Sequence, residues 1–139
     1  MVTKTNCTCV AVRRASQAIT HFYDSVLEPS GLKVTQLSLL RAVRRLETAK
    51  ISSLAETLQL DRTTLGRNLT VLERDGLVSI TPGDDSRMRI VTLTEQGCEA
   101  LDRAAPLWDA AQARLVEQLG SDRLQTLREM LSDIEALAS

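Results

Sequence analysis

In DRTTLGRNLTVLERDGLVSITPGDDSRMRIVTL, residues 61–93, a helical hydrophobic period runs directly into a strand period. Leu65, Leu69 and Leu72 repeat at i, i+4 and i+7, the spacing of one buried helix face. Asp61 can cap the helix at its start, and Gly76 ends it. At 100° per residue, Thr63, Arg67, Thr70 and Arg74 fall about 140–200° from Leu65, on the opposite face. Leu77 to Thr81 then pairs with Arg89 to Leu93 as a hairpin rich in Val, Ile and Thr. Its loop, Pro82 to Met88, holds the turn formers Pro-Gly-Asp-Asp-Ser and brings Arg87 and Arg89 to or near the tip.

Upstream, Ser53 with Glu56 has capping-box spacing, and Leu54, Ala55 and Leu58 supply the buried side of a short helix. Gln59-Leu60 makes the turn into the helix from Arg62 to Asp75. Two helices a few residues apart, the second showing Thr and Arg outward, form a helix-turn-helix. The hairpin after it reads as a wing. Thr35 is the expected cap of a preceding helix built on Leu37, Leu40 and Val43. A first helix spans Cys9 to Leu27, closed by Pro29 and Gly31.

From Thr94 onward a long helix carries Ala100, Leu101, Ala104, Leu107 and Trp108, with Pro106 a candidate bend. After Gly120-Ser121, Leu124, Leu127, Leu131, Ile134 and Leu137 repeat at helical steps. The fold class is therefore mainly α with a small β-hairpin wing, a winged helix-turn-helix carrying N- and C-terminal dimerisation helices. Residues 1–34 and 95–139 are assigned to the helical dimerisation region and 35–94 to the DNA-binding domain. An apolar stripe on helices at both ends of so short a chain is more economically buried against a second copy, so a homodimer is expected.

The 139 residues make one folding unit, and 43% hydrophobic with 25% charged residues excludes disorder. Three aromatic residues cannot build a base-stacking platform. The net charge of -1 hides an asymmetry: residues 1–94 carry +4 and residues 95–139 carry -5. Fourteen of the seventeen basic residues are arginine, whose planar fork suits phosphates and guanine edges. No apolar run approaches a membrane span and no secretory signal opens the chain, so a cytoplasmic location without membrane partners is expected. Enzyme motifs are missing: one histidine, no Gly-rich phosphate loop and no spaced metal set. Neither cofactor nor metal is expected. A winged-helix interaction module that does not touch DNA is the stronger rival, and salt-dependent, sequence-selective DNA binding separates the two.

The run from Ile51 to Gly97 resembles the winged core of the MarR family of bacterial transcriptional regulators. The likeness is carried by Leu54-Ala55 with Leu58, Asp61-Arg62-Thr63-Thr64, Leu72 through Leu77, and Asp85-Ser86-Arg87 leading into Val91-Thr92-Leu93-Thr94. The flanking helices are similar to that family's dimerisation region. The resemblance implies a homodimer on double-stranded DNA at a pseudo-palindromic operator, acting as a repressor released by an oxidant or a small ligand. It assigns Thr63, Thr64, Arg67 and Asn68 to the major groove, Arg87 to the minor groove, and Asp85 to steadying Arg87. Arg62, Arg74 and Arg89 are candidate DNA contacts, the first two balanced against pairing with Asp61, Glu73 or Asp75. Two departures stand out: Gly66 lies inside the recognition helix, and Ser86 replaces a second basic residue at the wing tip.

Cys7 and Cys9 lie just ahead of the first helix, at about the place where some MarR-like repressors sense oxidants. Cys9, at the helix start near Arg13, is the thiol expected to react, and a thiol pair with no role is the other reading. Cys98 is expected to be a small buried filler, and Phe22 a core ring. The resemblance places His21 and Tyr23 at a cleft for a small phenolic or aromatic-acid effector, with packing as the other reading. Trp108 is read as a core or interface ring.

Overall fold

A computed structural model describes residues 4–46, 48–85 and 87–138. Its elements run α1 (Thr8–Leu27), a 3-10 turn (Glu28–Ser30), α2 (Val34–Arg45), β1 (Ala49–Lys50), α3 (Ile51–Leu58), α4 (Arg62–Arg74), β2 (Val78–Pro82), β3 (Arg89–Leu93), α5 (Glu95–Leu119) and α6 (Ser121–Ala136). The architecture is mainly helical with a three-stranded antiparallel sheet ordered β1-β3-β2. Helix α5 continues unbroken through Pro106.

The core forms where the winged unit meets the first half of α5. Leu65, Leu69 and Leu72 of α4 are fully buried with Leu37, Leu39 and Leu40 of α2, Leu54 of α3, Val78 and Val91 of the sheet, and Leu101 of α5. Burying a leucine stabilises by about 1.5–3 kcal/mol, and aliphatic side chains supply nearly all of this interior. Asp61 caps α4 as expected, its carboxylate accepting from the Thr64 backbone N–H at 2.7 Å and from the Thr64 hydroxyl at 2.9 Å. These bonds, the backbone one foremost, hold the Asp61 carboxyl below the usual aspartate range.

Three helix starts and fillers differ from the sequence expectation. Helix α2 begins at Val34, with Lys33 rather than Thr35 at the cap position. Its first amide is satisfied from a distance: the Val34 N–H donates to Asp24 of α1 at 2.8 Å, and the Lys33 N–H donates to the Gln36 side chain at 3.0 Å. Helix α3 begins at Ile51, so Ser53 lies within it and no capping box forms. The cause is β1: Ala49 and Lys50 pair with Val91 and Ile90, and the chain enters the helix directly from that strand. Cys98 is exposed, because Gly97, Ala100 and Leu101 take the inward positions and Cys98 sits one residue round from Gly97.

The join between winged unit and α5 is tight. Thr94 donates its hydroxyl to the Gly76 carbonyl at 2.6 Å and accepts from the Gly97 N–H at 3.0 Å. A Cβ at Gly97 would run into the Leu77 carbonyl oxygen. Gly76 itself sits at φ +79, a left-handed turn that stops α4.

Candidate nucleic-acid interface

Helix α4 presents Thr63 and Arg67 to solvent on the face away from its buried leucines. Asn68 is half-buried, as its flank position on the helical wheel implies. Two of the threonine hydroxyls are already used within the helix: Thr64 donates to Asp61, and Thr70 donates to the Gly66 carbonyl at 2.8 Å. Thr70 therefore offers its methyl outward more readily than its hydroxyl. Gly66 meets nothing within 4 Å of where a Cβ would stand. No packing among the described residues requires a glycine there.

The wing is set against this helix by a side-chain brace. Glu73 of α4 accepts the Ile80 backbone N–H of β2 at 3.1 Å. Register then carries the strands outward from Val78↔Leu93 to Pro82↔Arg89, and the Gly83 N–H donates to the Met88 carbonyl at 2.9 Å to close the loop. Asp85 organises the tip through the main chain: its carboxylate accepts the Arg87 backbone N–H at 3.1 Å, and its carbonyl accepts the Met88 N–H at 2.9 Å. Asp85 thus steadies the backbone that presents Arg87. Ser86, which stands in place of a second basic residue at the tip, lies outside the described residues.

Arg62, Arg87 and Arg89 converge. Together with Lys50, Ser52 and the Met88 side they line one open depression of about 290 Å³ between the start of α3, the start of α4 and the wing. Among the described residues, no carboxylate lines it. Lys50 and Ser52 were missed by sequence reasoning, since only the strand β1 brings them beside the wing; no periodicity marks a two-residue strand. Arg74 lies apart, its Nε 3.6 Å from the Asp75 carboxylate on an exposed surface. Such a pair contributes little to stability.

The other candidate residues lie on the helical flank. Cys7 and Cys9 are free, exposed thiols at the entry to α1. His21 is exposed, and Tyr23 is half-buried with its hydroxyl donating to Gln112 of α5. Burial pushes the Tyr23 hydroxyl upward, opposed by the Arg128 charge. Phe22 is half-buried rather than a core ring: it meets Tyr23 edge-on at 5.7 Å, and the Arg114 guanidinium lies 5.0 Å from its centroid. One chain covers α1 incompletely, which leaves Phe22 at a margin. Among the described residues, no group of three His, Cys, Asp or Glu could hold a metal ion, and no helix is long and apolar enough to cross a membrane.

Comparison with known proteins agrees with this geometry. The MarR family model matches residues 30–88, from the turn before α2 to the wing loop. The helix-turn-helix regulator YhbI of Bacillus subtilis (strain 168) is 30% identical over 116 residues, covering 83% of this chain and 75% of that protein. The crystal structure of the M. tuberculosis transcriptional regulator MosR in complex with DNA superposes with a TM-score of 0.88 at 37% identity, covering 96% of each chain. The transcriptional repressor CouR, bound to p-coumaroyl-CoA, superposes at 0.84 with 28% identity over 93% of this chain and 91% of that one. The chain belongs to the MarR family of winged helix-turn-helix, DNA-binding transcription regulators.

Proposed function

We propose that the protein is a homodimeric repressor that binds a pseudo-palindromic operator, with Thr63, Arg67 and Asn68 of α4 in the major groove and Arg87 in the minor groove. The observation that carries this reading is the cluster of Lys50, Arg62, Arg87 and Arg89 beside the exposed face of α4, lined by no carboxylate among the described residues. A cationic depression between a major-groove helix and a wing is suited to a backbone phosphate, and phosphate contacts fix register while base edges supply sequence. Arg67 bidentate to a guanine would discriminate by about 1–3 kcal/mol. Arg87 would read groove width and potential, favouring an A·T-rich flank.

The dimer is supported by apolar side chains that this chain leaves uncovered on its terminal helices: Ile19, Val116, Met130, Leu131, Ile134 and Leu137. They fall within the helical regions 1–34 and 95–139 proposed for dimerisation. Sedimentation is expected to give a dimer at micromolar concentration; a stable folded 15.3 kDa monomer would overturn the assignment.

Two routes of release are proposed. One is oxidation of the exposed thiols Cys7 and Cys9. The other is a small phenolic or aromatic-acid effector near His21 and Tyr23, with CouR's bound p-coumaroyl-CoA as the supporting precedent among relatives. The test of the core reading is selection of a duplex from a random pool, followed by fluorescence anisotropy at rising salt. Sequence-selective binding that weakens steeply with salt is expected. Salt-indifferent or absent binding would sink the proposal.

A further inference from the structure

Thr70 of α4 is exposed on the face that carries Thr63 and Arg67. At 100° and about 1.5 Å per residue, Thr63 and Thr70 fall within about 20° of one another and about 10 Å apart along the axis, with Arg67 between them. A groove that takes Arg67 therefore faces Thr70 as well. The Thr70 hydroxyl donates to the Gly66 carbonyl one turn back at 2.8 Å, so its proton is committed to the backbone of its own helix. In the major groove N7 and O6 of guanine and O4 of thymine all accept hydrogen bonds, and a hydroxyl whose proton is already used has none to give them. Of the two heavy atoms on the Thr70 Cβ, the methyl group is the one left uncommitted.

We infer that Thr70 is a specificity-determining residue whose methyl group packs on the C5 methyl of a thymine in the major groove, an inference that rests on the operator-binding reading above. Apolar contact of this kind separates thymine from cytosine, which lacks the methyl. The surroundings of Thr70 favour it. Gly66 has no side chain, and nothing stands within 4 Å of where its Cβ would be, so the turn over which the Thr70 side chain leans is open to an approaching duplex. Arg74, one turn further on, lies 3.6 Å from the Asp75 carboxylate, and the Glu73 carboxylate accepts the Ile80 N–H. The two acids that follow Thr70 on the helix are thus engaged within the chain.

The polar alternative is the Thr70 oxygen accepting from the amino group of adenine or cytosine, which its lone pairs permit. The two readings require opposite halves of one side chain. Serine keeps the hydroxyl and drops the methyl, and valine does the reverse at nearly the same shape.

The probe is the duplex selected from a random pool, with its thymines replaced one position at a time, in both half-sites, by deoxyuridine, which lacks only the C5 methyl. In anisotropy titrations the parent protein is expected to bind about fourfold more weakly per half-site when one particular position is replaced, the value of one buried methyl group. Thr70→Ser should lose about the same affinity on the thymine duplex and bind the deoxyuridine duplex no worse. Thr70→Val should discriminate like the parent, and circular dichroism checks that both variants fold as the parent does. Undiminished discrimination in Thr70→Ser, or its loss in Thr70→Val, would overturn the inference, and so would a parent indifferent to deoxyuridine at every position. In each of those cases selective binding by the parent leaves the operator-binding reading standing, whereas a parent that selects no duplex ends both.

Discussion

The Glu73 carboxylate of the recognition helix accepts the Ile80 backbone N–H of the wing at 3.1 Å. One side chain thereby ties together the two elements proposed to enter neighbouring grooves, beside the Leu77 N–H to Leu72 carbonyl bond at the end of the helix. Glu73→Ala is expected to cost about 0.5–1.5 kcal/mol of stability, the net value of a hydrogen bond. Operator affinity should fall further than that loss explains, because the wing loses its brace. Parallel thermal melts and anisotropy titrations separate the two effects; equal losses would argue against a positional role.

Arg87→Ala should lower operator affinity severalfold while leaving stability within about 0.5 kcal/mol, as for other exposed surface positions. Its salt dependence should also become shallower if a phosphate contact is lost. Unchanged anisotropy would refute the proposed wing contact.

Gly66→Ala probes why a poor helix former stands in α4. A Cβ meets nothing there, so the free protein should gain about 1 kcal/mol, read as a higher melting temperature. Weaker operator binding in the same variant would mean that DNA backbone needs the space; unchanged binding would make the glycine dispensable.

Gly97→Ala should do the opposite. The new methyl group would collide with the Leu77 carbonyl at the join to α5, and overpacking of this kind costs about 1–3 kcal/mol. A melting temperature equal to the parent's would contradict the tight join.

Asp61 supplies a pH signature. Its carboxyl titrates below the ordinary aspartate value of about 3.9 because Thr64 hydrogen-bonds the charged form. Its stabilising contribution is therefore complete above that value and disappears as pH falls through the lower folded-state value. Asp61→Ala should lower the melting temperature at neutral pH, and the difference from the parent should shrink below about pH 4. A difference independent of pH would show that the cap does not act through its charge.

The parts of the fold legible in sequence were those whose signals are local. The leucines of α4 and the glycine that ends it lie within one short window, as do the turn residues and alternating strands of the wing. What escaped was set by contacts between distant segments. Asp24 caps α2 from ten residues upstream, so Thr35 looked like a start although the helix was already under way. The pairing of Ala49 and Lys50 with β3 moved the start of α3 and placed Lys50 beside Arg87. Phe22 has the composition of a core residue, but its burial depends on a neighbouring surface that the sequence pattern does not locate. The face of Cys98 follows from a single step of helical phase, too fine for a pattern with glycine at the preceding position.

Helix α5 starts at the Thr94 clamp and continues for 25 residues into the helical flank. At about 1.5 Å per residue it is a rigid rod about 37 Å long. A tilt of about 5° about its far end would carry the clamped end, and the winged unit with it, through about 3 Å, close to the rise of one base-pair step of about 3.4 Å. A protein geared in this way can fall out of step with its duplex through a movement of the rod too slight to disturb any of the packing inside the winged unit.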